Sequence, residues 1–191
     1  GVGTAAYLVN GTAWADALAV APVAAWANAP VLMTMKDSVP AETAAWLSDN
    51  SVTDVYIIGG ESVVGAPVAD ALDTLYTVHR VSGDNRYETA KEVALHGVSD
   101  HGMNGQLATL ASGESFADAL SAAPIGWWTG APLLLTPKNT LHAEVAAYFD
   151  ESGAIGTEAD GGIGCYVLGG PGAVSDAVYV AFRDHWKTLL P

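Results

Sequence analysis

The chain is poor in positive charge. Its 191 residues carry 7 Lys and Arg against 21 Asp and Glu, a formal net charge of −14. A field of that sign repels nucleic acid and anionic membranes at long range, so neither is expected as a partner. Cysteine is nearly absent. The single Cys165 cannot close an internal disulfide, and within GIGCYVLGG it reads as a small core residue. Uninterrupted hydrophobic runs of membrane length are missing too. Trp14–Met35 is apolar enough to suggest a span, but Asp16, Asn28 and two prolines break it, so no transmembrane helix is expected, nor a signal peptide. The chain has no G-x-G-x-x-G, no G-x-x-x-x-G-K-[ST] and no G-x-S-x-G. His79, His96, His101, His142 and His185 are scattered, and no loop alternates oxygen ligands as a calcium site would. No metal and no cofactor are expected. What remains is apolar: 50% of the residues are hydrophobic and 15% charged, which excludes disorder and suffices for a buried core.

The chain repeats itself. Shifted by 102 residues, Gly11–Thr34 falls on Gly113–Thr136 with 12 of 24 positions identical, among them ADAL at 15–18 and 117–120. The register then slips to 110, where Ile58-Gly59-Gly60 meets Leu168-Gly169-Gly170. The slip falls in SGAIGTEADGGIG, which reads as a longer surface loop. Each unit runs strand, Ala-rich helix, strand, helix, strand ending in Gly-Gly, helix. Short unbroken apolar strands alternating with helices predict an α/β fold: two tandem Rossmann-like modules, each a mostly parallel sheet covered by helices. The modules are expected over 1–78 and 79–191. The segment VHRVSGDNRYETAKEVALHGVSD joins them, and the first module is expected to lack its counterpart.

Asp16 and Asp118 interrupt apolar helices that follow the first strand of each unit. One reading is structural: a carboxylate near a helix N-terminus gains about 0.3–1 kcal/mol from the helix dipole. The other places both at the carboxyl edge of the sheet, where α/β proteins bind ligands. Lys36 and Lys138 are repeat equivalents, each two residues beyond the Thr that ends the second strand. They read either as solvated loop lysines or as contacts to an anionic group on a repeating ligand. Arg86 stands near a helix start, where a cation is unfavourable, so an acidic partner is expected for it, with Asp118 a candidate. Ser112-Gly113-Glu114-Ser115 follows a strand, but the first unit has Asn10-Gly11-Thr12-Ala13 there, so no nucleophile is duplicated.

Four segments in order form a signature: R-x-x-G-x-x-R-Y-x-T-A from Arg80, A-S-G-x-x-F-A-D-A-L over Ala111–Leu120, A-P-L-L-L-T over Ala131–Thr136, and L-G-G-x-x-A-V-S over Leu168–Ser175. The chain thereby resembles the cell wall binding repeat 2 family of Gram-positive bacteria over nearly its whole length. The resemblance implies an extracellular, non-catalytic module of S-layer proteins, autolysins and other surface proteins. Its partner would be an anionic secondary wall glycopolymer, held non-covalently. An apolar triplet linked to polymer binding in the family falls on Val31-Leu32-Met33 and on Leu133, Leu134 and Leu135. As sequence, A-P-L-L-L-T reads as the centre of a buried sheet. The polymer-binding set expected is Lys36, Lys138, Arg86, Asp16, Asp118 and the Leu133–Leu135 triplet. The family commonly carries three repeats, so a third repeat or self-association is expected to complete this one. Two readings of other classes stand beside it: a Rossmann-like hydrolase or small-molecule enzyme, and a structural module that assembles with its own copies.

Overall fold

A computed structural model describes residues 4–153 and 164–189. The stretch 154–163, which holds most of the expected long loop, lies outside the described residues. The first unit contains β1 (Ala5–Asn10), α1 (Trp14–Ala27), β2 (Val31–Thr34), α2 (Ala41–Asp49), β3 (Asp54–Ile58), α3 (Ala66–Asp73) and β4 (Thr77–Val81). After α4 (Arg86–His101) come β5 (Leu107–Ser112), a 3-10 turn (Asp118–Ser121), α5 (Ala122–Thr129), β6 (Leu133–Thr136), α6 (Ala143–Glu151), β7 (Gly164–Val167) and α7 (Asp176–Leu189). All strand pairs are parallel, in the orders β2-β1-β3-β4 and β6-β5-β7. This is the expected α/β architecture of two helix-covered sheets. The boundary expected between 78 and 79 falls inside β4, which pairs with β3 from Thr77 to Val81.

Strand alternation sorts the core. On β1, Ala6 and Leu8 face α2 and α3 with Leu47, Val68 and Leu72, while Tyr7 and Val9 face the other way. On β5 and β6, Ala108, Leu110 and Leu134 face α6 and α7 with Tyr148, Phe149 and Val178. The opposite residues Ala111, Leu133 and Leu135 join Tyr7, Val9, Val20, Val23 and Val93 in one core between the two sheets. The units are therefore fused through α1 and α4 rather than strung on a linker. Gly126 is needed at this junction, because a Cβ there would stand 2.5 Å from Pro22 Cβ of α1.

The Ala-rich helix expected after the first strand of the second unit is broken. Ser121 and Gly126 replace Ala19 and Ala24 of α1, both poorer helix formers, and a 3-10 turn precedes α5. The signature before α4 explains itself in hydrogen bonds. Asn85 caps the helix by accepting from the Tyr87 and Glu88 amides. The Glu88 carboxylate accepts from the Asp84 amide at 2.7 Å, and Thr89 Oγ1 from the Gly83 amide at 3.0 Å.

Candidate functional site

The loops at the carboxyl edges of the two sheets are built alike. After the second strand, the Thr34 hydroxyl donates to the Ser38 carbonyl and Thr136 to the Thr140 carbonyl, at 3.0 and 2.8 Å. The Lys36 carbonyl accepts from the Gly65 amide at 2.8 Å, and the Lys138 carbonyl from the Ser175 amide at 2.9 Å. These bonds tie each lysine loop to the start of the unit's last helix through its backbone and do not engage the ammonium groups. Lys36 is exposed and Lys138 half-buried.

Among the described residues neither ammonium has an ion-pair or hydrogen-bond partner, whereas the other five cations are engaged. Lys91 sits among Glu92, Glu144 and Glu151 at 3.2, 3.1 and 3.0 Å. Arg183 and Lys187 meet Asp184 at 3.1 and 3.4 Å. Arg80 donates to the Gly59 carbonyl at 2.7 Å, and Arg86 to the Gly113 carbonyl.

The two aspartates occupy matching places against the Gly-Gly turns. Gly59 and Gly169 are left-handed, at φ +100° and +89°, and a Cβ on either would stand 2.5 Å from Oδ2 of Asp16 or Asp118. The turn glycines thus admit the carboxylates as well as the backbone conformation. Asp16 is 7% exposed and its carboxylate receives no hydrogen bond among the described residues. Burial pushes its carboxyl up to about 6, against the opposing pull of Arg86. Asp118 is only half-buried. α1 has no side-chain cap at Ala13, so Asp16 does not serve as its N-cap.

Arg86 departs from its expected partner. No ion pair joins it to Asp118 among the described residues. Its guanidinium lies 5.2 Å over the Trp14 ring, donates to Gly113 and acts electrostatically on Asp16. The helix therefore carries its cation across the junction to the first unit. Leu133, Leu134 and Leu135 are at most 1% exposed, so no ligand touches them in this conformation. Their first-unit counterparts differ: Met33 is 66% exposed on the uncovered edge strand β2.

One feature at this edge escaped the sequence reading. Trp14 and Phe116 are equivalent under the shift of 102, and they meet edge to face at 6.4 Å across the junction. Their alignment was the available signal. Beside them Tyr87 stacks on His142 at 4.3 Å. Arg86, Trp14, Phe116 and Asp16 thus form one cluster shared by both units. Burial lifts the Cys165 thiol to about 12, which keeps it protonated at neutral pH.

The cell wall binding domain 2 family matches residues 2–69 and 80–179. The chain is 31% identical over 175 residues to the N-acetylmuramoyl-L-alanine amidase LytC of Bacillus subtilis, covering 91% of this chain and 33% of that protein. It is 36% identical over 135 residues to the amidase enhancer of the same organism, covering 70% of this chain and 18% of that one. The chain thus spans a third or less of these relatives. Among solved structures, Cwp8 from Clostridium difficile superposes with a TM-score of 0.78 at 32% identity, over 100% of this chain and 31% of that one. Cwp6 from the same organism gives 0.79 at 23% identity, over 99% and 28%, and shows the shared fold. The family is a binding module rather than a catalytic one, and it points to a place at the cell wall or surface. No helix among the described residues is long and apolar enough to cross a membrane. The chain belongs to the cell wall binding domain 2 family.

Proposed function

We propose that the chain anchors a surface protein non-covalently to an anionic secondary glycopolymer of a Gram-positive cell wall, outside the cell. One observation carries this reading. In a chain of net charge −14, the two cations left without a protein partner among the described residues are repeat equivalents at the carboxyl edges. Two like-placed ammonium groups suit a ligand whose anionic groups repeat. Arg86, Asp16 and Asp118 are assigned to the same binding ground, which the buried Leu133–Leu135 triplet supports from the core. Overall repulsion is screened beyond about 8 Å at physiological salt, so local contacts decide.

Co-sedimentation with wall sacculi, before and after the secondary polymer is stripped, tests the proposal. Pull-down from intact walls and its loss on stripping is the expected result. Binding unchanged by Lys36→Ala with Lys138→Ala, in a protein of unchanged stability, refutes the assignment of the lysines.

A further repeat, or a second copy, is the natural complement of this chain. Trp26 donates its indole N–H to the His101 carbonyl at the end of α4, at 2.9 Å. Its equivalent Trp128 is 79% exposed. At the other end, Met33 and Val31 are exposed where Leu135 and Leu133 are covered. Both ends thus expose more of the surface that is covered at the internal junction, where Trp26 itself stays 39% exposed. Sedimentation velocity together with tryptophan fluorescence of the chain, alone and extended by one repeat, tests this. Indole burial unchanged by either association or extension argues against it.

A further inference from the structure

A cluster of titratable groups lies where α4 packs on the first sheet, and wall binding makes no use of it. The Tyr7 hydroxyl is 3.0 Å from His96 Nε2 and 2.7 Å from His101 Nε2. His96 Nδ1 is 2.9 Å from Asp100 Oδ2. The imidazoles meet edge to face with centroids 5.0 Å apart. Around the pair stand Glu92 and Asp100 on α4, Tyr56 and Asp54 on β3, His79 and Arg80 on β4, and Glu151 ending α6. Of these, Arg80, Glu92, Asp100 and Glu151 line with His96 a cavity of about 620 Å³. Tyr56 stacks on His79 at 4.6 Å and meets His96 at a tilt of 39° and 4.7 Å, and His79 Nε2 bonds Asp54 at 3.1 Å. α1 contributes the Trp26 indole on the His101 carbonyl.

The hydrogen bonds count protons. The Asp100 carboxylate fixes the His96 proton on Nδ1, so neutral His96 accepts from the Tyr7 hydroxyl at Nε2. The Tyr7 oxygen then accepts from His101 Nε2–H. Every bond is satisfied with both imidazoles neutral. One added proton also fits. On His101 it occupies Nδ1 and disturbs nothing. On His96 it reverses the chain, with Tyr7 accepting from His96 and donating to the other tautomer of His101. A second proton does not fit. Both Nε2–H groups would then point at one hydroxyl, its own proton would lose its acceptor, and two cations with centroids 5.0 Å apart would share the Asp100 carboxylate.

We propose that Tyr7, His96, His101 and Asp100 form a proton-operated latch at the junction of the two units, which holds one proton closed and opens α4 from the first sheet on the second. Burial, the largest influence on either imidazole, holds both below the usual histidine range, and Asp100 opposes it. Acid is therefore the opening direction, and the reading stands whatever the polymer ligand.

The test is an NMR titration of the histidine side chains in the intact chain from pH 8 to 5, with amide hydrogen exchange followed along α4. His96 and His101 together should take up one proton while α4 stays protected. Beyond it, the opening equilibrium should grow up to tenfold per pH unit, the linkage of one proton. His101→Gln removes one imidazole and should raise the His96 midpoint. Tyr7→Phe should let both imidazoles titrate in the closed state. Full protonation of both in the unmodified chain without faster exchange in α4, or a His96 midpoint indifferent to His101→Gln, overturns the proposal.

Discussion

Gly59→Ala should be among the most damaging single-methyl additions to this protein, for two separable reasons. At φ +100° an alanine is strained, by about 1–2 kcal/mol for a left-handed L-residue. Its Cβ also stands 2.5 Å from Asp16 Oδ2, and Asp16 at 7% exposure has little room to retreat. Overpacking of that kind adds about 1–3 kcal/mol, for a total of about 2–5 kcal/mol. Urea unfolding of four proteins separates the parts: the parent, Gly59→Ala, Asp16→Ala and the double variant. With Asp16 truncated the clash is gone, so Gly59→Ala should then cost only the backbone share, about 1–2 kcal/mol, and the coupling should be about 1–3 kcal/mol. Gly60→Ala is the control. Its added methyl meets nothing within 4 Å and its φ is not positive, so the change should stay within about 0.5 kcal/mol. A loss equal in both Asp16 backgrounds would refute the idea that the Gly-Gly turn exists to admit the carboxylate. A Gly59→Ala loss below about 0.5 kcal/mol would refute both parts.

The Asp16 carboxyl at about 6, against 3.8 unfolded, makes the folded state hold a proton that the unfolded chain has released. Its contribution is full below about pH 4 and is lost as pH rises through about 6, by about 3 kcal/mol. Asp16→Asn should therefore stabilise the protein at pH 7.5 and leave it nearly unchanged at pH 4, read as unfolding free energies at the two values. Leu134→Ala and Leu135→Ala should each cost about 2–5 kcal/mol, while Met33→Ala should stay within about 0.5 kcal/mol. Wall binding by the leucine variants should then fall only as far as their folded fraction falls, measured by denaturation and co-sedimentation on the same samples.

The order of strands and helices was legible because it occurs twice. Each apolar run, Gly-Gly turn and proline could be checked against its copy, and repeat equivalents do land in equivalent loops, as Lys36 and Lys138 show. The environment of each copy was not legible. A-P-V-L-M-T and A-P-L-L-L-T read alike, yet β6 lies under α1 and α4 while the same face of β2 lies open. The difference comes from which helix packs over which unit, and that is a contact between repeats rather than within one. The partner of Arg86 was misplaced for the same reason: the nearest equivalent aspartate in sequence is Asp118, but α4 leans on α1 and meets Trp14 and Asp16. The histidine latch was hidden more thoroughly. Tyr7 and His96 are 89 residues apart, and under the shift of 102 Tyr7 falls on Thr109, so comparing the repeats discards it.

That asymmetry bears on how the two lysines would serve a polymer. Equal sites on one rigid body bind a repeating ligand with an effective concentration set by their spacing, so losing one site costs far more than half the avidity. The fusion of the units through one shared core supplies the rigidity. The sites are not equal, however: Lys36 is exposed and Lys138 half-buried, and the turn beside Lys36 holds the buried Asp16 where the other holds the more exposed Asp118. Lys36→Ala and Lys138→Ala should therefore weaken wall binding to different extents, and either alone should remove most of the avidity. Two single variants with equal and additive losses in binding free energy would mean that the lysines act independently, as surface charge, and not as paired contacts on one chain of polymer.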